Sequence, residues 1–189
     1  MARTFRISGV ALVCITGLLT FCSADAGADP ITRTFQFTAT DFLPGSVPSP
    51  PPPQDVIAGL LTLTFDPTNP FPPAAAPDQI FLAISGHSYT RDEVRFEYGG
   101  PVNVDQTFWV GVPGLNILNG GTNDFLLSFI YDPIADVAKF GYGFSYTTPT
   151  AATDYSSPFT TVAVVPEPGT GALLLLGGSL GWALRRRLS

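Results

Sequence analysis

Nineteen prolines and nineteen glycines among 189 residues, about a fifth of the chain, interrupt any long helical segment, while 45% apolar and 12% aromatic content suffices for a packed core. Between the turn clusters lie short segments with the two-residue period of half-buried strands. These observations predict an all-β body, a β-sandwich of jelly-roll type with about six to eight strands over 29–164. A signal helix is expected before it and a short transmembrane helix after it.

The chain opens with Arg3 and Arg6 ahead of the uncharged apolar run 7–21, ISGVALVCITGLLTF, and Ala24-Asp25-Ala26 then places small side chains where a signal peptidase cuts. Residues 1–28 therefore read as a signal peptide, removed before Gly27 or Asp29. The run is shorter than the ~20 residues of a spanning helix, which weighs against a retained anchor. Cys22 follows Phe21, whereas a lipobox needs a small residue there. Cys14 and Cys22 leave with this segment, so the mature protein is expected to contain no disulfide and no cysteine-bound metal.

The strands follow in order. In 32–42 (TRTFQFTATDF), Phe35, Phe37 and Ala39 alternate with threonines and Gln36. A stiff Pro-rich connection, 44–53, separates this strand from 60–65 (LLTLTF). Residues 91–98 (RDEVRFEY) turn Val94, Phe96 and Tyr98 inward and set Arg91, Glu93, Arg95 and Glu97 along the opposite face, as a solvated ladder of alternating charge. Further strands are expected at 107–112, 125–131, 137–146 and 159–165, with 125–131 apolar enough to be central. Phe65-Asp66-Pro67 and Tyr131-Asp132-Pro133 both read as strand ends entering type I turns.

Candidate chemistry is sparse. His87 is the single histidine, in a stretch (SGHSYT) that reads as a turn, and the body holds no nucleophile elbow, phosphate-cradling loop or zinc spacing. Asp92, Glu93 and Glu97 are the carboxylates a glycosidase could use, although the ladder face offers no burial to raise a pKa. Asp66 with Asn69, Asn119 with Asn123 and Asp124, and Asp132 with Asp136 could offer oxygens to calcium, without an EF-hand spacing. No other metal or cofactor is expected. Phe140, Tyr142, Phe144 and Tyr146 form a stripe opposite Gly141, Gly143 and Ser145, which reads either as sandwich core or as a candidate ligand platform that stacks on sugar rings. The threonines of the first strand raise ice binding, but no flat regular array is evident.

Charge excludes one class of partner. From Asp29 to Val165 four cationic side chains face thirteen carboxylates, a net charge of −9 that repels phosphate backbones, so nucleic acid is not expected as a ligand.

The last 25 residues, VPEPGTGALLLLGGSLGWALRRRLS, place a rigid Pro166-Glu167-Pro168 before an uncharged run whose helix would be roughly 24 Å long at 1.5 Å per residue. Trp182 suits the headgroup level, and Arg185, Arg186 and Arg187 mark the cytoplasmic side, so this run crosses once with the body outside. Motif, span and basic stop in this order resemble the PEP-CTERM sorting signal of exported bacterial proteins, whose tail is also catalogued as an ice-binding protein C-terminal domain. The resemblance is confined to 165–189 and implies a Gram-negative bacterium and an exosortase, a membrane cysteine transpeptidase acting near Pro166, Glu167 and Pro168. Those residues would be a substrate motif, with Arg185–Arg187 as a transfer stop. The expected whole is a non-enzymatic protein held in the inner membrane by its tail until it is sorted to the cell surface or matrix, adhesive or associated with exopolysaccharide. Two alternatives stand beside it: an extracellular glycan-active enzyme and a permanently membrane-anchored domain.

Overall fold

The computed structural model describes residues 29–166, apart from 47, 48, 103, 114–117, 152 and the side chains of 140–142. The predicted signal peptide and C-terminal span lie outside the described residues. Within them the protein is all β, and no helix is long and apolar enough to cross a membrane.

Eleven strands form two antiparallel sheets. They are β1 (Ile31–Thr40), β2 (Leu43–Pro44), β3 (Val56–Phe65), β4 (Gln79–Ile84), β5 (His87–Ser88), β6 (Arg95–Gly99), β7 (Gln106–Gly111), β8 (Asp124–Asp132), β9 (Val137–Thr147), β10 (Tyr155–Ser157) and β11 (Phe159–Val165). The first sheet runs β11-β1-β3-β4-β5 and the second β2-β10-β9-β8-β7-β6. In the second, β6 to β10 follow one another as a five-stranded meander, and β2 joins it beside β10. Jelly-roll strands instead interleave between two sheets, so the expected jelly-roll connectivity is corrected to a sandwich in which most consecutive strands are neighbours in one sheet.

Inward positions from both sheets meet in an aromatic core. Phe35 and Phe65 of the first sheet touch Phe108, Phe129 and Tyr131 of the second, with ring centroids 4.8–6.0 Å apart. At the other end Phe37 stacks on Phe144 at 5.6 Å. All seven side chains are buried, and rings in tilted and edge-on pairs fill the interlayer space while satisfying their quadrupoles.

One edge of the sandwich is sewn shut. After β1 the chain bends at Asp41, which has a positive φ of 57°, and continues as β2 in the other sheet; β10 and β11 make the reverse passage across Pro158. Since β1 pairs with β11 and β2 with β10, the bent arms form one continuous ribbon joining the layers. Ser157 fastens the bend: its hydroxyl donates to the Thr40 carbonyl at 2.6 Å and accepts from the Phe159 amide at 3.1 Å. Gly143 of β9 lies under this bend at φ 107°, where a Cβ would meet the Ser157 carbonyl at 2.8 Å. The opposite edge is covered as well, because Ala75 exchanges backbone hydrogen bonds with Phe96 and shields β6.

Other expectations need correction. The charged ladder begins at Arg95, because Arg91–Glu93 are a turn: the Glu93 carboxylate accepts from the Thr90 amide and hydroxyl, both at 2.8 Å, and so closes a reciprocal cap that ends extended backbone. SGHSYT is a turn only at Ser85-Gly86, whose φ values of 50° and 87° suit a two-residue hairpin joining β4 to β5. Both Asp-Pro segments do turn as their strands end. Asp66 accepts from the Thr68 amide and closes the turn to Asn69, while Asp132 accepts from the amides of Ile134 and Ala135.

Candidate functional site

The end of β11 is where the body meets the tail. Val164 pairs with Phe35 and Val165 with Thr34, and Pro166 follows at once, exposed. Pro166 lacks an amide hydrogen and cannot extend the ladder, so the strand stops there for a covalent reason. Along β11 the burial is slight: Thr160 is buried, whereas Val162, Val164 and Val165 are half-buried and Phe159, Thr161 and Ala163 exposed. The Thr160 hydroxyl is buried with no hydrogen-bond partner, a further cost of docking this strand. Glu167, Pro168 and Arg185–Arg187 lie outside the described residues.

Two of the four candidate platform residues belong to the core. Phe144 and Tyr146 are 1% and 0% exposed, and the Tyr146 hydroxyl donates to the Gln54 carbonyl at 3.0 Å. Burial pushes its pKa up to about 12. Nor is the stripe continuous. Phe140 pairs with Phe129 and Phe144 with Leu127, neighbouring inward positions on β8, so Gly141 and Tyr142 fall within a bulge between them. The side chains of Phe140 and Tyr142 lie outside the described residues. Phe144 thus closes the second sheet onto the first against Phe37 rather than standing on an exposed ladder.

Of the three carboxylates singled out for chemistry, two lie in a turn and one on a strand, and Glu93 is already engaged. Asp92 sits exposed in the Thr90–Glu93 turn, while Glu97 lies on β6 opposite Trp109. Backbone and hydroxyl hydrogen bonds from Thr90 hold the Glu93 carboxyl below the usual carboxylate range, with nearby His87 adding to this. A general acid needs the opposite shift. His87 is half-buried, its ring edge-on to Tyr89 at 4.6 Å and its Nε2 3.4 Å from Glu93 Oε1. An open groove of about 400 Å³ beside it is lined by Ser85, Asn123, Thr148 and Thr150, none of them acidic.

The loop oxygens considered for calcium already serve the fold. Asp66 binds Thr68; Asp124 accepts from the Asn119 amide at 2.8 Å; Asp132 holds its own turn and Lys139. Asp136 receives Arg33 Nε at 2.8 Å and the Tyr131 hydroxyl at 2.7 Å. Burial opposes the Asp136 charge, yet the bonds from Tyr131 and Arg33 leave its pKa lowered. Among the described residues no three His, Cys, Asp or Glu side chains stand close enough together to hold a metal ion.

The outward face of the first sheet was only partly visible in the sequence. Thr32, Thr34, Gln36, Thr38 and Thr40 of β1 stand beside Val56, Ala58, Leu60, Thr62 and Thr64 of β3, flanked by Phe81 of β4 and by Phe159, Thr161 and Ala163 of β11. None is charged, in a body of net charge −9. Thr32 pairs with Thr64 and Thr34 with Thr62 through hydroxyl contacts of 2.6 and 3.0 Å, and Thr64 donates to Asp78 at 2.7 Å, so these hydroxyls are already engaged rather than set out as a free array.

A two-layer β domain whose final strand runs without a linker into a Pro-Glu-Pro tail has the layout of an exported protein carrying a processing signal. Residues 164–187 match the PEP-CTERM protein-sorting motif, and the chain carries that motif. It supports export, processing by an exosortase and delivery to the cell surface. The match begins at Val164, two residues inside β11. No curated protein and no solved structure matches the chain.

Proposed function

We propose that this is a non-enzymatic surface protein: an exported β-sandwich that an exosortase frees from its membrane tail and delivers to the cell surface or extracellular matrix, where it contacts polysaccharide. The sorting motif at 164–187, continuous with the folded body, is the observation that carries this reading. Before processing, the body stands in the periplasm on a single inner-membrane span with Arg185, Arg186 and Arg187 on the cytoplasmic side. Signal peptidase acts first, at the other end of the chain. The outward face of the first sheet, whose paired strand residues are uncharged and whose carboxylates Asp41 and Asp78 sit at its margins, supports glycan contact, since hydroxyls and apolar side chains suit neutral sugars. The body needs no cofactor, so a chelator is expected to leave its thermal midpoint unchanged.

The test is the intact mass of the protein recovered from the host surface and medium, with and without the exosortase. A species lacking residues 1–28 and the hydrophobic tail, and dependent on that enzyme, is the expected result. A wild-type species still extending to Ser189 would show a permanently anchored domain instead.

A further inference from the structure

The overlap between the sorting motif and the last strand points to a device not contained in the motif itself. We infer that β11 is a detachable strand: it must peel from β1 for the sorting enzyme to engage Pro166-Glu167-Pro168, and its docking afterwards completes the fold. This rests on the sorting reading above.

The geometry sets the constraint. Val164 and Val165 belong both to the matched motif and to the β1–β11 ladder, and Pro166 is the first residue outside it. At 3.3–3.6 Å per extended residue, three residues reach at most about 11 Å beyond Val165, which bounds the span of the Pro-Glu-Pro motif. An enzyme that grips an extended peptide on both sides of a scissile bond therefore collides with the sandwich while β11 is docked. With β11 released, the seven residues Phe159–Val165 become linker and free roughly 23 Å of reach.

The strand is built to release alone. It is an edge strand of the first sheet, paired along its length with β1, and its side chains are largely half-buried or exposed. The residues before it are anchored elsewhere: β10 remains paired with β9 and β2 in the second sheet. Pro158 and the Ser157 clasp to Thr40 thus lie between an arm that stays and an arm that can leave. Local opening of this kind costs less than global unfolding where few apolar contacts are lost. The docked fraction then lowers the effective affinity of the precursor for the enzyme in proportion to how little of it is open.

The experiment uses the full-length precursor in its host, followed by pulse-chase to the processed form. Gln36 and Ala163 are directly opposed and both exposed, so Q36C with A163C locks β11 to β1 in a chain whose other cysteines, Cys14 and Cys22, belong to the expected signal peptide. The lock is expected to slow processing by about tenfold or more, the reciprocal of a minor open population. A six-residue Gly/Ser insertion between Val165 and Pro166 adds about 13 Å of reach and is expected to restore wild-type rates to the locked protein. That rescue separates a strand effect from misfolding or failed export. Wild-type processing of the locked precursor, or a locked precursor that stays slow with the insertion, overturns the proposal while leaving the sorting reading intact. Retention of the tail in unmodified protein marks failure of the sorting reading itself.

Discussion

Phe108 and Val164 both face the interior of the sandwich, yet they occupy different energetic worlds. Phe108 is fully buried and meets six aromatic rings, those of Phe35, Phe65, Phe96, Tyr98, Phe129 and Tyr131. Val164 is half-buried on a strand paired along one side. Inward direction alone therefore says little about stability; what counts is how many layers and strands surround the position. The centre holds the fold together, and β11 closes it.

The largest effect should come from breaking the centre. Phe108→Ala removes a ring from a close-packed interlayer site that cannot collapse without moving both sheets, and a loss of about 3–5 kcal/mol is expected in denaturant unfolding. A loss below about 1 kcal/mol would mean that the two sheets are not packed as described. Next comes the bend that joins the centre to β11. Gly143→Ala forces a Cβ against the Ser157 carbonyl from a φ of 107°, and roughly 2 kcal/mol should be lost. Because that contact lies at the hinge, the same variant should raise protease sensitivity near Pro158 more than elsewhere.

Tyr98→Phe tests a polar seam at the far end of the core. The Tyr98 hydroxyl accepts from the Asp66 amide at 3.0 Å and donates to the Asp66 carbonyl at 2.9 Å, and burial raises its pKa. Its removal leaves two backbone groups of the Asp-Pro turn to find water, for a loss of about 1 kcal/mol by thermal unfolding.

Acid should expose a smaller contribution. The Asp136 pKa is lowered in the folded state, so its contribution is present above the ordinary carboxylate value and is lost as pH falls through the folded value. The window therefore lies below about pH 4. The Arg33–Asp136 pair is partly exposed, 27% and 47% by side chain, and solvent screening keeps the effect small. Asp136→Asn should flatten the acid limb of the stability curve measured between pH 2 and 5, and an unchanged limb would assign the loss to other carboxylates.

This contrast also explains what could be read from the chain. The period-two pattern located β1, β3, β7, β8, β9 and β11 because their inward and outward residues differ in polarity. β4 escaped notice because Phe81 faces outward, leaving both of its faces apolar, and β2 and β10 are too short to show a period. In 91–98 the alternation was genuine but the Thr90–Glu93 cap overrode it. The aromatic stripe was left open between core and platform for a different reason. Periodicity says which residues share a face, not which face is covered, and it cannot show the bulge that places Gly141 and Tyr142 between Phe140 and Phe144. The sorting motif was legible in full because it is a linear signal, whereas its overlap with a paired strand needed the register.

The smallest expected stability change lies at Val164, and there the contrast between centre and edge is sharpest. Val164→Ala shortens a half-buried side chain on an edge strand, so global unfolding should shift by less than about 1 kcal/mol. If β11 opens on its own, the substitution changes the local opening equilibrium and leaves the rest of the sandwich nearly untouched. Amide exchange separates the two outcomes: β11 amides that pair with β1 should exchange faster than those of β8 in the wild type, and faster still in Val164→Ala, with β8 rates unchanged. Equal protection of β11 and β8 would mean that the last strand opens only when the whole sandwich does, and sorting would then have to precede folding rather than compete with one strand of it.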